Sequence, residues 1–413
     1  MADTKNKTCV VIGASHGGVN FASYLRREGW EGQIILFDKD PMIPYHRPPL
    51  SKAYLTEGDL EGNLLKPKES YEHDNITLKL GQTVTSINRA DKTISLQDGS
   101  AQAFDKLVIS TGARPFIPPI KGIEDPKGIF AMRTGEDAIN IKNAVDASKT
   151  KRVVIIGGGY IGLETAASLN KLGAKVVVLE REEHVLARVT APVMSDFFTD
   201  LHQEKGVKVL TNKNVVSISK KNGYNQVVCD DGMCYDADLI VIGVGIRVNT
   251  ELAKNAGLDI ENGIKVNLFT QTNDENIYAI GDCTYHYNSH YQRYVRLESV
   301  QNAVDQGKIA AASICGKEQE YNAIPWFWSD QYDIKLQMVG LSWGYNEVLV
   351  RKEEVEQTSF SVWYFKDEEL LAVDAVNNAK AYVLGARFIK GKQKINKTKL
   401  VDSSIPMKPT SFL

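Results

Sequence analysis

Two glycine-rich turns, each followed further along by an acid, hold the residues whose types and spacing best suit chemistry. In GASHGG the glycines are Gly13, Gly17 and Gly18, and in GGGYIG they include Gly157, Gly159 and Gly162. Asp38 lies 25 residues after the first glycine of one turn, and Glu180 lies 23 after that of the other. Glycines between a strand and a helix let backbone N–H groups approach a pyrophosphate, and a carboxylate closing the next strand can accept from a ribose hydroxyl. This is binding chemistry for two dinucleotides. The first turn departs from the pattern, because Ser15 stands at the middle glycine position with His16 beside it. Glu180 favours a nucleotide without a 2'-phosphate, NADH over NADPH, although its neighbour Arg181 could tolerate that phosphate.

Other reactive types are fewer. PYHRPPLSKAYL, from Pro44 to Leu55, carries Arg47 and Lys52 and no cysteine. Asp282 follows a glycine in AIGDC, a placement suited to gripping a polyol hydroxyl. Five scattered cysteines form neither a disulfide scaffold nor a four-ligand zinc site. Cys229 and Cys234 alone are close, and they flank the hairpin turn DDGM.

The elements that position these residues repeat. TCVVIGASHGGVNFASYLRREGWEGQIILFD and RVVIIGGGYIGLETAASLNKLGAKVVVLE each read as strand, turn, helix, strand. Each is followed by an Asp-Gly hairpin and another apolar strand, LQDGSAQAFDKLVISTG and CDDGMCYDADLIVIGVG. After the helix RLESVQNAVDQGKIAAASICG, alternating segments from about Pro325 predict antiparallel strands backed by a helix at NAKAYVLGARFIK. The expected fold class is α/β, with two Rossmann-like dinucleotide-binding domains plus a C-terminal α+β domain. A net charge of -2 argues against nucleic-acid binding, and the basic run from Arg387 to Lys399 reads as a solvated surface. No apolar run approaches a membrane span, no secretory segment is evident, and a cytoplasmic protein is expected, a monomer being plausible but the oligomeric state left open by the sequence.

Together these stretches resemble the FAD-dependent pyridine nucleotide oxidoreductases of glutathione-reductase-like fold. More specifically, PYHRPPLSKAYL, VVIIGGGYIGLETA, EHVLARVTAPVMSDFF, AIGDC, RLESVQNAVDQGKIAA and PWFWSDQYDIKLQMVGLSWGY look like the NADH-dependent ferredoxin reductases of cytochrome P450 and Rieske oxygenase systems, the putidaredoxin reductase group. The resemblance implies a discontinuous FAD-binding domain of 1–115 with 243–324, an NADH-binding domain of 116–242 and a C-terminal α+β domain of 325–413, with FAD contacts at Gly13, Ser15, Gly17, Gly18, Asp38, Arg47, Lys52, Val84, Arg133, Asp282, Val300 and Trp326. It implies NADH contacts at Gly157, Gly159, Tyr160, Ile161, Gly162, Glu180, Arg188 and Gly245. The family's first ribose acid aligns on Lys39, so Asp38 or Asp40 must substitute. Lys52, Glu164 and Arg47 are the implied catalytic residues, Glu164 near the nicotinamide and the two cations beside the flavin.

The implied reaction passes electrons from NADH, one at a time, to a [2Fe-2S] ferredoxin. Its docking face is expected among Arg293, Arg296, Lys335 and the run near Lys394. Two alternatives share the fold. A disulfide, coenzyme A disulfide or peroxide reductase would need a nucleophilic cysteine beside the flavin. A flavoprotein resembling apoptosis-inducing factor would sense NADH rather than turn it over.

Overall fold

Runs such as CVVI and IILF are apolar at every position, so they need cover on both faces, and both become inner strands of a parallel sheet. The computed structural model describes residues 4–353 and 358–412. They form two compact units, each assembled from separated stretches of chain. The first takes the chain up to His46, Leu60–Arg114 and Arg247–Pro325, and the second takes Arg47–Asp59, Pro115–Ile246 and the chain from Trp326 onward.

The first unit is built on a five-stranded parallel sheet in the order Ile277–Ala279, Lys106–Ile109, Thr8–Ile12, Gln33–Asp38, Ile76–Leu80. Alternate residues serve two cores. Val10, Ile12, Ile35, Phe37, Leu107 and Ile109 pack with Ile87, Ile94 and Leu96 of an antiparallel sheet spanning Val84–Asn88, Thr93–Leu96 and Ala101–Ala103. Cys9, Val11, Ile34, Leu36 and Val108 pack instead with Phe21 and Leu25 of the helix His16–Arg27 and with Ala310 and Ala311 of the helix Val300–Ile314. Small residues let those two helices cross closely, since a Cβ on Gly307 would stand 3.2 Å from Gly17 O.

The second unit repeats this order with Ile129–Ala131, Leu239–Ile242, Arg152–Ile156, Lys175–Leu179 and Lys208–Leu210, again all parallel. Its own antiparallel sheet, Val215–Lys221, Tyr224–Cys229 and Cys234–Ala237, precedes the strand Leu239–Ile242, as the hairpin did in the first unit. The antiparallel strands expected after Pro325 are present. They form a sheet ordered Trp326–Gln331, Ile334–Gly340, Glu369–Val376, Phe360–Lys366, Glu347–Lys352, with the helix Ala379–Gly391 against it. Arg351 is buried at the edge of this sheet and donates to the carbonyls of Leu400, Asp402, Ser403 and Ile405, which ties the last stretch of chain down.

Candidate dinucleotide sites

Both glycine turns have one geometry. Gly13 and Gly157 adopt φ of +107° and +109°, conformations that side chains rarely take. A Cβ on Gly18 would collide with Gly13 O, and one on Gly162 would collide with Gly157 O, so each third glycine allows its helix to approach its strand. Gly159 differs. Apart from its immediate chain neighbours, nothing lies within 4 Å of the place a Cβ would take there, so the turn opens onto free space at the helix N-terminus, where a pyrophosphate would be received.

The acids are also equivalent. Asp38 Oδ2 accepts from Ala14 N–H at 2.6 Å and its Oδ1 accepts from Asp40 N–H at 2.9 Å. Glu180 Oε2 accepts from Gly158 N–H at 2.6 Å and its Oε1 from Glu182 N–H at 2.8 Å. Each carboxylate keeps lone pairs for ribose hydroxyls while its own turn holds it still. This identifies Asp38 as the counterpart of Glu180. Asp40 is engaged elsewhere, accepting from Tyr45 Oη at 2.7 Å and from Met42 N–H at 3.0 Å. The residues present fit a bound dinucleotide in each unit.

Within the first unit, Ser15 stands at the N-cap of His16–Arg27 without a capping hydrogen bond from its side chain. His16 Nε2 lies 3.3 Å from His46 Nδ1, a pairing that spacing alone did not suggest. Val84 opens the antiparallel sheet, Asp282 lies in the one-turn helix Gly281–Cys283, and Val300 is the first residue of Val300–Ile314. Gly281 N–H donates to Gln306 Oε1 at 2.7 Å, which fixes the turn that carries Asp282.

Within the second unit the three catalytic candidates separate into two groups. Glu164 is 2% exposed and receives three donors: Ser51 Oγ at 2.6 Å and Lys52 Nζ at 2.7 Å on Oε2, and Ser329 Oγ at 2.7 Å on Oε1. Arg47 Nη1 donates to Arg133 O at 2.6 Å, which joins two of the expected FAD contacts. Trp326 begins its strand with its ring 5.6 Å from that of Trp328. Tyr160 Oη lies 2.8 Å from Met338 Sδ, Ile161 is exposed, and Arg188 Nη2 stands 3.9 Å from where a Cβ on Gly245 would be. Arg181 pairs with Glu182 at 2.6 Å. Of the cations expected to dock a partner, Arg296 is paired with Glu298, and in the basic run Lys397 is paired with Glu347 and Glu368.

Ser51 and Ser329 were not anticipated. A buried serine inside the aromatic strand WFWSDQ was the available signal. All five cysteines are free. Cys229 is buried, which pushes its thiol up to about 11, and burial does the same for Cys283. Cys9 is driven well above the usual thiol range, also by burial. Thiols so raised are poor nucleophiles at neutral pH. Among the described residues no cluster of His, Cys, Asp and Glu could hold a metal ion, and no helix is long and apolar enough to cross a membrane.

The family model described as pyridine nucleotide-disulphide oxidoreductase matches residues 7–307, and that described as Reductase C-terminal matches residues 326–411. Putidaredoxin reductase CamA of Pseudomonas putida is 42% identical, the match covering 98% of this chain and 96% of that one. Rhodocoxin reductase of Rhodococcus erythropolis is 37% identical over 97% of this chain and 93% of its own. The crystal structure of the covalent putidaredoxin reductase-putidaredoxin complex superposes with a TM-score of 0.92 at 40% identity, covering 97% of each chain.

Proposed function

The chain belongs to the pyridine nucleotide-disulphide oxidoreductase family, as a flavoprotein oxidoreductase using FAD and NAD(P)H, and from that premise we propose that it passes electrons from NADH, one at a time, to a [2Fe-2S] ferredoxin. That ferredoxin would feed a cytochrome P450 or Rieske-type oxygenase in the cytoplasm, a reducing compartment that suits five free thiols. The observation that carries this reading is the segment Pro44–Leu55. Relatives named putidaredoxin reductase, rhodocoxin reductase and ferredoxin--NAD(P)(+) reductase match nearly the whole chain, and this segment offers cations and no sulfur. A disulfide reductase would need a reactive thiol, and the cysteines here are scattered, with the buried ones raised.

Bound FAD supplies the exchange between a two-electron hydride donor and a one-electron acceptor. The chain's own part is positioning. Asp38 and Glu180 orient the two riboses, and Gly13 to Gly18 and Gly157 to Gly162 present N–H groups to the two pyrophosphates. Glu180 is pinned where it repels a 2'-phosphate, and Arg181 is drawn toward Glu182, which together support NADH over NADPH. Lys52 acts as half of an ion pair, so Glu164 moderates its charge and Ser51 and Ser329 fix the orientation of both. Lys52 Nζ also donates to Pro48 O at 3.2 Å, and Arg47 Nη1 donates to Arg133 O at 2.6 Å, so each cation of the segment Pro44–Leu55 is held in place by a backbone carbonyl.

Anaerobic titration of the yellow holoenzyme with NADH, followed by mixing with a [2Fe-2S] ferredoxin, tests the proposal. Bleaching of the cluster at a rate that NADPH does not match is the expected result. Slow reduction to a long-lived charge-transfer state without cluster bleaching would favour the sensing role instead, and turnover of coenzyme A disulfide or peroxide would favour the reductase alternative.

A further inference from the structure

The loop between the strand Lys175–Leu179 and the helix Pro192–Glu204 is pinned at two points. Near its middle, Leu186 N–H donates to Gly158 O at 3.0 Å and Val185 is buried beside Gly158, so the loop rests on the glycine turn. At its end, Thr190 Oγ1 lies 2.7 Å from Asp374 Oδ2 and 2.8 Å from Tyr364 Oη, and Ala191 N–H donates to Tyr364 Oη at 3.1 Å. Tyr364 Oη itself lies 2.5 Å from Asp374 Oδ2. Between the two pins stands exposed Arg188, over Gly245 beyond the C-terminal end of the strand Leu239–Ile242, the edge at which doubly wound sheets bind ligands.

Thr190, Tyr364 and Asp374 are all buried, and among the described residues Asp374 has no cationic partner. Burial pushes its carboxyl up to about 6. A sheet that needed only to pack would present apolar groups here, because a carboxylate this deep is costly to desolvate. What the polar pair obtains is a fixed backbone at residues 190 and 191. The same sheet reaches the nucleotide helix at a second place, since Met338, the register partner of Asp374, receives the Tyr160 hydroxyl.

We propose that Tyr364 and Asp374 are positioning residues for the pyridine nucleotide, fixing through Thr190 and Ala191 the backbone that presents Arg188 to it. This rests on the reading that Gly157 to Gly162, Glu180 and Arg188 hold that nucleotide.

The test is calorimetric titration of NAD+ into the oxidised holoenzyme, with NADH KM and kcat measured beside it. Tyr364→Phe and Thr190→Val each raise Kd and KM about five- to tenfold with kcat nearly unchanged, the effect of one or two lost hydrogen bonds. Thr190→Ser, which keeps the hydroxyl, restores affinity to within about twofold. Arg188→Ala also weakens binding, and adding Tyr364→Phe to it causes no further loss, because both act through one side chain. An unchanged Kd in Tyr364→Phe, or losses that multiply in the double variant, would overturn the proposal. Glu180→Ala is the control for the underlying reading: if it too leaves NAD+ affinity unaltered, the assignment of the nucleotide site falls instead.

Discussion

At the scale of single residues, the glycines of one turn make opposite predictions. A Cβ at Gly162 meets a backbone oxygen, whereas one at Gly159 meets nothing. Gly162→Ala is expected to lower stability by about 1–3 kcal/mol as an overpacked contact, and Gly159→Ala to leave the melting temperature nearly unchanged while weakening NAD+ binding. Equal melting temperatures for the two would contradict this account. Glu164→Ala strips Lys52, Ser51 and Ser329 of their shared acceptor; for a buried pair such a loss costs about 3–5 kcal/mol, and the partial exposure of Lys52 places it near the lower figure. Glu164→Gln, which retains an acceptor oxygen, should cost less, as thermal unfolding would show. The glycines and acids were legible because their spacing along the chain is the chemistry. Asp38 was ambiguous beside Asp40, and what resolved it, an amide bond from Ala14, is a backbone contact that spacing cannot display.

At the scale of elements, periodicity was a good guide to the strands and poor at what joins them. The duplicated strand-turn-helix pattern and the alternation after Pro325 each predicted elements that the fold contains, because buried parallel strands and half-buried antiparallel ones have different residue patterns. The contacts that bring Thr190 to Tyr364 and Asp374, or Ser51 to Glu164, span more than a hundred residues and leave no periodic trace. A buried histidine between the strand Thr284–Asn288 and the helix Val300–Ile314 offers a pH test. His286 Nδ1 lies 3.2 Å from Gln306 Nε2, and burial holds its pKa down at about 4. The folded protein keeps this ring neutral while the unfolded chain protonates it below about 6.5, so stability is full above that pH and declines as pH falls toward 4, by up to about 3 kcal/mol. Urea unfolding midpoints of the parent and His286→Gln, compared between pH 7.5 and 4.5, should converge or cross as the pH drops. A constant gap would show that this ring does not titrate on unfolding.

At the scale of the whole molecule, the absence of a thiol from Pro44–Leu55 yields the broadest prediction. Replacing Cys229 and Cys234 together by alanine is expected to leave ferredoxin-dependent turnover within about twofold, since Cys229 is buried in a hairpin strand and its thiol is raised. Loss of turnover with retained flavin and an unchanged melting temperature would return the disulfide reductase to the front. The discontinuity of the first unit has a different consequence, one that concerns birth rather than catalysis. Its sheet begins with Thr8–Ile12, yet the strand that covers Lys106–Ile109 is Ile277–Ala279. A ribosome adding about 5–20 residues per second takes on the order of ten seconds to make the intervening chain. Throughout that interval the nascent chain carries a bare apolar sheet edge, a template for pairing with other chains. Messages truncated before residue 277 should therefore yield insoluble product, and synthesis of the full chain should place its demand on chaperones before the last strand of that sheet emerges.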